Sequence, residues 1–161
     1  MPAYRERVSR GFTLMEMVVV LLLLGILSIY ATPRILNLAE STMDSQAKAF
    51  ASDLRRVQLL ASVRGATLCV CLINNQSYKV LNSSCNPDDA NAVTDPSTGK
   101  VFQSQLVNGV IFLQGPTLLK FDSAGQPDAG AAYAIGKDSN TPAIQVQVTS
   151  LTGYVTTGPA P

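Results

Sequence analysis

Three cysteines, one carboxylate inside an apolar run and one pair of aspartates are the residues whose types and spacing could do chemistry. The cysteines are Cys69, Cys71 and Cys85, the carboxylate is Glu16, and the aspartates are Asp122 and Asp128. The chain has no histidine, so both the commonest general base and the commonest metal ligand are missing. Three cysteines without histidine or C-x-x-C spacing make a poor zinc site, and no cofactor or metal is expected. Asp122-Ser-Ala-Gly125 and Gln126-Pro-Asp128 read as turn residues rather than as an acid–base pair, so no enzyme is expected. Beyond Gly65, four lysines stand against six aspartates. A head of that charge lacks the basic footprint of a nucleic-acid binder.

The elements that position these residues begin with a lopsided N-terminus. Arg5, Arg7 and Arg10 precede an apolar run from Phe12 to Ala31, long enough for a helix to span a bilayer core of about 30 Å. By the positive-inside rule the arginines stay cytoplasmic and the C-terminal bulk lies across the membrane. A secretory signal peptide fits poorly, because no small-x-small site follows the apolar run. Glu16 sits inside that run, where a carboxylate is costly and marks a functional position.

From Arg34 to Arg64 the apolar residues Ile35, Leu38, Phe50, Leu54, Val57 and Ala61 recur at three- and four-residue spacings, predicting an amphipathic helix with Gly65 as its C-cap. Anchor and helix joined, from 12 to 64, would extend roughly 80 Å at 1.5 Å per residue. Pro33 removes one helical amide, so a kink or a melted turn is expected there. After Gly65 the pattern turns to short strands. Residues 67–73 and 76–81 flank Asn74-Asn75 as a two-residue hairpin turn. Residues 82–100 read as an exposed loop. Further strands are expected near 110–113, 118–121, 131–135, 144–149 and 153–155, with a frayed tail from Gly158. The fold class is α+β, a long helix on an antiparallel sheet.

Arg10-Gly11-Phe12-Thr13-Leu14-Met15-Glu16 closely resembles the type III signal of prepilins, and Pro33 falls where many type IV pilins carry a helix-bending proline. Segments around Asp53-Leu-Arg55, Arg64-Gly65, Leu119-Lys-Phe-Asp-Ser-Ala-Gly125 and Gln147-Val-Thr-Ser-Leu-Thr-Gly153-Tyr-Val resemble the GspH/FimT family of minor pseudopilins and minor type IV pilins, including those of mannose-sensitive haemagglutinin pili. The resemblance implies a leader (1–11), a membrane and filament-core helix (12–33) and a head (34–161). It implies cleavage between Gly11 and Phe12 by a prepilin peptidase, N-methylation of Phe12, and pairing of Glu16 with the Phe12 amine of a neighbouring subunit. Each of those charges would be costly alone in an apolar filament core, and each satisfies the other.

The implied partners are the peptidase, other pilin or pseudopilin subunits, an inner-membrane assembly platform, and lipid before assembly. The implied location is the bacterial inner membrane, single-pass with a periplasmic head, and then a pilus or pseudopilus. Some FimT-like proteins bind DNA through basic residues near the C-terminus. Here Tyr154 follows Gly153 where those members place Arg, which argues against that alternative.

With the head outside the cytoplasm, a disulfide is the natural use of two cysteines. Cys69 and Cys71 point to one face of a strand and are badly placed to bond each other. A two-residue turn at Asn74-Asn75 would set Cys71 opposite Tyr78 and Cys69 opposite Val80. Cys85, continuing past the second strand, would then fall nearer Cys69. A Cys69–Cys85 bond with Cys71 as a buried thiol is the expectation, against three reduced core cysteines.

Overall fold

A computed structural model describes residues 13–85, 91–140 and 143–160, with side chains in the first helix described over 13–26 and from Thr42 onward. The expected leader, its cleavage position Gly11 and the residue after it, Phe12, lie outside the described residues. One helix and eight strands follow. Helix α1 runs Leu14–Arg64. The chain divides into two compact units, one ending at Ala39 and the other covering Glu40–Pro161. In the first unit the described structure is helix alone. α1 continues through Pro33 as helix, so the melted turn expected there does not occur. Among the described residues no helix is long and apolar enough to cross a membrane. The described side chains of the apolar run end at Ile26.

Both ends of α1 have local causes. Thr13 is its N-cap: the Thr13 hydroxyl oxygen accepts the Glu16 N–H at 3.3 Å. At the other end Gly65 takes φ +60°, a conformation that costs glycine little. The Ala66 N–H then reaches Ala61 O at 3.2 Å and the Gly65 N–H reaches Ser62 O at 3.4 Å, which closes the helix in a Schellman turn.

In the second unit the buried side chains of α1 are Met43, Ala47, Phe50, Ala51, Leu54, Val57 and Ala61, the stripe that three- and four-residue spacing dictates. They seal two four-stranded antiparallel sheets rather than one. The first sheet has the order β3-β2-β1-β5, from Gln103–Gln105, Ser77–Asn82, Leu68–Leu72 and Leu118–Phe121. The second has the order β4-β6-β7-β8, from Ile111–Gln114, Ala131–Gly136, Ile144–Val148 and Val155–Pro159. One apolar cluster joins α1 to both. Phe50 is its hinge point, with Tyr78 of the first sheet at 4.8 Å and Phe112 and Tyr133 of the second at 5.0 Å, all edge-to-face. Each such pair contributes about 0.5–1.5 kcal/mol beyond burial.

The tail expected to fray from Gly158 is instead part of β8, held by its ladder to β7. Strand β3 has no counterpart in the sequence reading. Its residues, Gln-Ser-Gln, carry no apolar alternation, and it exists through pairing with β2.

The disulfide expectation is corrected. Cys71 bonds Cys85, with Cα atoms 5.7 Å apart, and Cys69 is the buried free thiol. Two errors in the sequence reading combine. The β1–β2 turn has three residues, Asn74 to Gln76, closed by the Ile73 N–H on Ser77 O at 2.9 Å. Asn74 Oδ1 accepts both the Gln76 and the Ser77 N–H at 2.8 Å, an Asx turn that a two-residue loop would not allow. The register therefore moves by one, setting Cys71 opposite Lys79 and Cys69 opposite Leu81. The chain also does not continue past β2. Ser83 takes φ 64° and its N–H bonds Thr67 O at 3.1 Å. The chain then doubles back, so that Ala92 pairs with Leu81 and Cys85 arrives over Cys71.

Candidate assembly interface

The first turn of α1 carries the one sequence-predicted assembly residue that is described. Glu16 is the third helical residue after the Thr13 cap, and its N–H also reaches Thr13 O at 3.1 Å. Thr13-Leu-Met-Glu16 has the spacing of a capping box, a signal present in the sequence but missed by a reading that weighed Glu16 as a membrane charge and as the partner of a neighbour's amine. A carboxylate there faces the positive end of the helix macrodipole. Beyond it the apolar run is exposed on every side of the helix. The successive residues Leu21, Leu22, Leu23 and Leu24 are each more than half exposed. A helix apolar all round is stable only when lipid or other helices cover it.

The head presents a polar seam between α1 and the segment before β3. Tyr78 Oη donates to Asp53 Oδ2 at 2.6 Å. Burial, and then the Asp53 charge, hold the Tyr78 phenol well above the ordinary tyrosine range, so it remains a donor. Arg56 lies 3.5 Å from Asp53 and 3.7 Å from Asp95, donates to Ser97 Oγ at 2.8 Å, and sits over the Phe102 ring. Asp95 Oδ1 in turn accepts the Ser97 N–H at 2.9 Å. That backbone bond is the main reason the Asp95 carboxyl is held below its usual range. Arg64 donates to Thr94 O at 3.2 Å. Beside this seam runs a groove of about 370 Å³ lined by Leu59, Leu60, Val63, Pro96 and Phe102.

On the other flank of α1 the β7–β8 turn exposes Leu151 and Tyr154. It is held by Arg55 on Val155 O at 2.7 Å and by Gln58 on Thr152 O at 2.9 Å. Neither clamp was read from the sequence. Its signal was Gly153, already placed in a turn but not connected to the helix. Asp122 and Asp128 do turn work: Asp122 Oδ1 accepts the Ala124 and Gln126 N–H groups, and Asp128 Oδ1 accepts the Lys120 N–H. Among the described residues no cluster of three metal-ligating side chains forms.

Residues 7–32 match the prokaryotic N-terminal methylation motif. The head is similar to the minor pseudopilin EpsH from the Type 2 Secretion System of Vibrio cholerae, with TM-score 0.55 and 14% identity over 73% of this chain and 96% of that one. It is similar to the type IV minor pilin FimU of Pseudomonas aeruginosa strain PAO1, with TM-score 0.56 and 10% identity over 74% of this chain and 90% of that one. A second crystal form of FimU gives TM-score 0.54 at 11% identity. No curated protein matches the sequence. The chain thus joins an N-terminal methylation motif to a type IV pilin-like fold. That fold is shared by a minor pilin and a minor pseudopilin.

Proposed function

We propose that this chain is a structural minor pilin or pseudopilin subunit, cleaved after Gly11 by a prepilin peptidase, methylated on Phe12, and assembled into or initiating a type IV pilus or secretion pseudopilus. The observation that carries the reading is the methylation motif over residues 7–32 leading into a helix that continues to a pilin-type head. Before assembly the apolar run anchors the subunit once in the inner membrane with the head in the periplasm. Afterwards the same run packs among the helices of other pilin or pseudopilin subunits, delivered through the assembly platform. The exposed leucines of α1 support both halves of that cycle, since lipid and neighbouring helices cover them equally well.

Glu16 has two duties in this reading. Its place after the Thr13 cap suits the start of α1, and its carboxylate meets the Phe12 amine of a neighbour. Gly11→Val should leave the precursor uncleaved, because a branched side chain stands at the scissile bond. Mass spectrometry finding a mature chain that begins at Phe12 in that variant would sink the processing claim. Glu16→Val should be inserted and cleaved but recruited poorly, and recruitment at the wild-type level removes the pairing role.

The second reading, a competence pilin that captures DNA, has less support. The β7–β8 turn exposes Tyr154 where basic members of the family carry Arg, and the residues after it include no lysine or arginine. Retardation of duplex DNA by the detergent-purified chain at physiological salt would revive it.

A further inference from the structure

Each sheet has two edges, and an open edge is a template for pairing with another chain. Three of the four are blunted in recognisable ways. Strand β3 is only three residues long. The edge of β5 is covered by its own downstream segment: the Asp128 N–H bonds Lys120 O at 3.0 Å, and Pro127 pairs with Phe121. Strand β4 has an irregular register between Phe112 and Gln114, and the Phe112 N–H is taken by Asn75 O at 2.6 Å. That leaves β8, at five residues the longest edge strand, paired on one side only.

The β7–β8 register says which groups of β8 face outward. The Thr149 N–H bonds Tyr154 O, and the Ala160 N–H bonds Ala143 O. Opposed residues in an antiparallel ladder alternate between bonded and non-bonded pairs. Residues 154, 156, 158 and 160 therefore turn their backbone groups to β7, and Val155, Thr157 and Pro159 turn theirs outward. Arg55 Nη2 already occupies Val155 O at 2.7 Å. Pro159 has no N–H to offer. Thr157, between them, is the one outward residue that offers a neighbouring strand both an open N–H and an open C=O.

We propose that Arg55 and Pro159 guard the β8 edge, preventing a second copy of this chain from pairing with it strand to strand. The contact they prevent is self-complementary. Two β8 strands running antiparallel about Thr157 would set Thr157 opposite Thr157, a two-fold arrangement in which each copy supplies the same patch. One complete bonded pair would form at the centre. Each flanking pair sets Val155 opposite the other copy's Pro159 and loses one of its two bonds, because Pro159 has no N–H to donate and Val155 O is already taken by Arg55. Subunits gathered in a membrane or along a filament meet at high local concentration, where an unguarded edge of this length is a route to off-pathway sheets.

The test is backbone hydrogen exchange at Thr157 in the full chain, purified in detergent micelles and followed over a dilution series. Wild type should exchange at Thr157 at a rate independent of concentration. The double variant Arg55→Met, Pro159→Thr keeps an apolar stem at 55 and restores an N–H at 159. It should exchange on the order of tenfold more slowly at high concentration and lose that protection on dilution. Association through the apolar helix leaves Thr157 exchange untouched, so dimers in the variant with no change at Thr157 overturn the proposal. Should the double variant fail to fold, Pro159→Thr alone, whose new N–H can reach only the second lone pair of Val155 O, should show a smaller concentration-dependent protection. A concentration-independent rate in that single variant is equally fatal.

Discussion

Gln58 and Gly153 stand so close that a methyl group on Gly153 would overlap the Gln58 amide nitrogen. That nitrogen donates to Gly125 O at 3.0 Å and to Thr152 O at 2.9 Å, so one side chain of α1 ties down a turn after β5 and the turn before β8. Gly153 also takes φ +65°. Gly153→Ala should therefore destabilise the head by about 1–3 kcal/mol, from overlap and from backbone strain. Gln58→Ala should cost less, since it removes the two hydrogen bonds to carbonyls without adding overlap or backbone strain. Urea midpoints of the two variants in micelles decide it, and a Gly153→Ala midpoint equal to wild type removes the clamp.

The bond between Cys71 and Cys85 closes a loop with a sequence separation of 14. Loss of such a crosslink by Cys71→Ser should lower stability by about 3 kcal/mol in the chain-entropy treatment. Cys69→Ser leaves the bond intact and should cost only the packing of a buried thiol. Burial raises the Cys69 thiol above its ordinary range, with Lys120 opposing that shift and Asp128 adding to it. Alkylation of Cys69 should accordingly wait for unfolding. Rapid labelling of Cys69 in the folded chain would contradict its burial beside Leu81 and Ala92.

Asp95 supplies the acid sensitivity of the segment it anchors. Its folded pKa lies below the unfolded value of about 3.9, so its contribution is present at neutral pH and is lost as pH falls through the folded value. The Ser97 amide should lose its bonded chemical shift in that range, below pH about 4. Asp95→Asn should flatten the response, because an amide accepts less strongly than a carboxylate and does not titrate. An unchanged acid transition in Asp95→Asn would assign the effect elsewhere.

Tyr133 and Tyr78 make opposite predictions from the same side-chain type. Tyr133 is fully buried, and its hydroxyl has no hydrogen-bond partner among the described residues. Tyr133→Phe should keep the aromatic contacts and be neutral or stabilising, by up to about 1–3 kcal/mol. Tyr78→Phe leaves Asp53 without its phenol donor and should destabilise by about 1.5–3 kcal/mol, the range for a bond to a charged group. Equal effects in thermal unfolding would refute the contrast.

Much of this fold was readable because its signals are local. The α1 stripe, the Gly65 cap and most strands rest on period and turn chemistry, and they fall within a few residues of expectation. What escaped depends on distant partners. β3 has no apolar pattern and is held by β2. The division into two sheets rests on backbone pairing between strands far apart in sequence, β1 with β5 and β4 with β6. The cysteine pairing failed on one residue of turn length, since a three-residue Asn74 turn and a two-residue one look alike until the Asn74 side chain is placed. Gly11, Phe12 and Glu16 stand close together inside the matched motif of residues 7–32, whereas the clamps at Arg55 and Gln58 join positions some hundred residues apart.

Strand β1 is buried on both faces, with Leu68 and Val70 toward α1 and Cys69 and Cys71 toward a second cluster with Leu81, Ala92 and Leu118. A slip of one residue would exchange those faces. The cysteines would then point into the helix-covered core, out of reach of a chain that returns over the opposite side. Oxidation of Cys71 with Cys85 thus reports that the β1–β2 hairpin has closed in its native frame, and the crosslink is a covalent record of correct threading. A head that fails this step keeps three free thiols, a chemical mark by which a misthreaded head can be told from a native one.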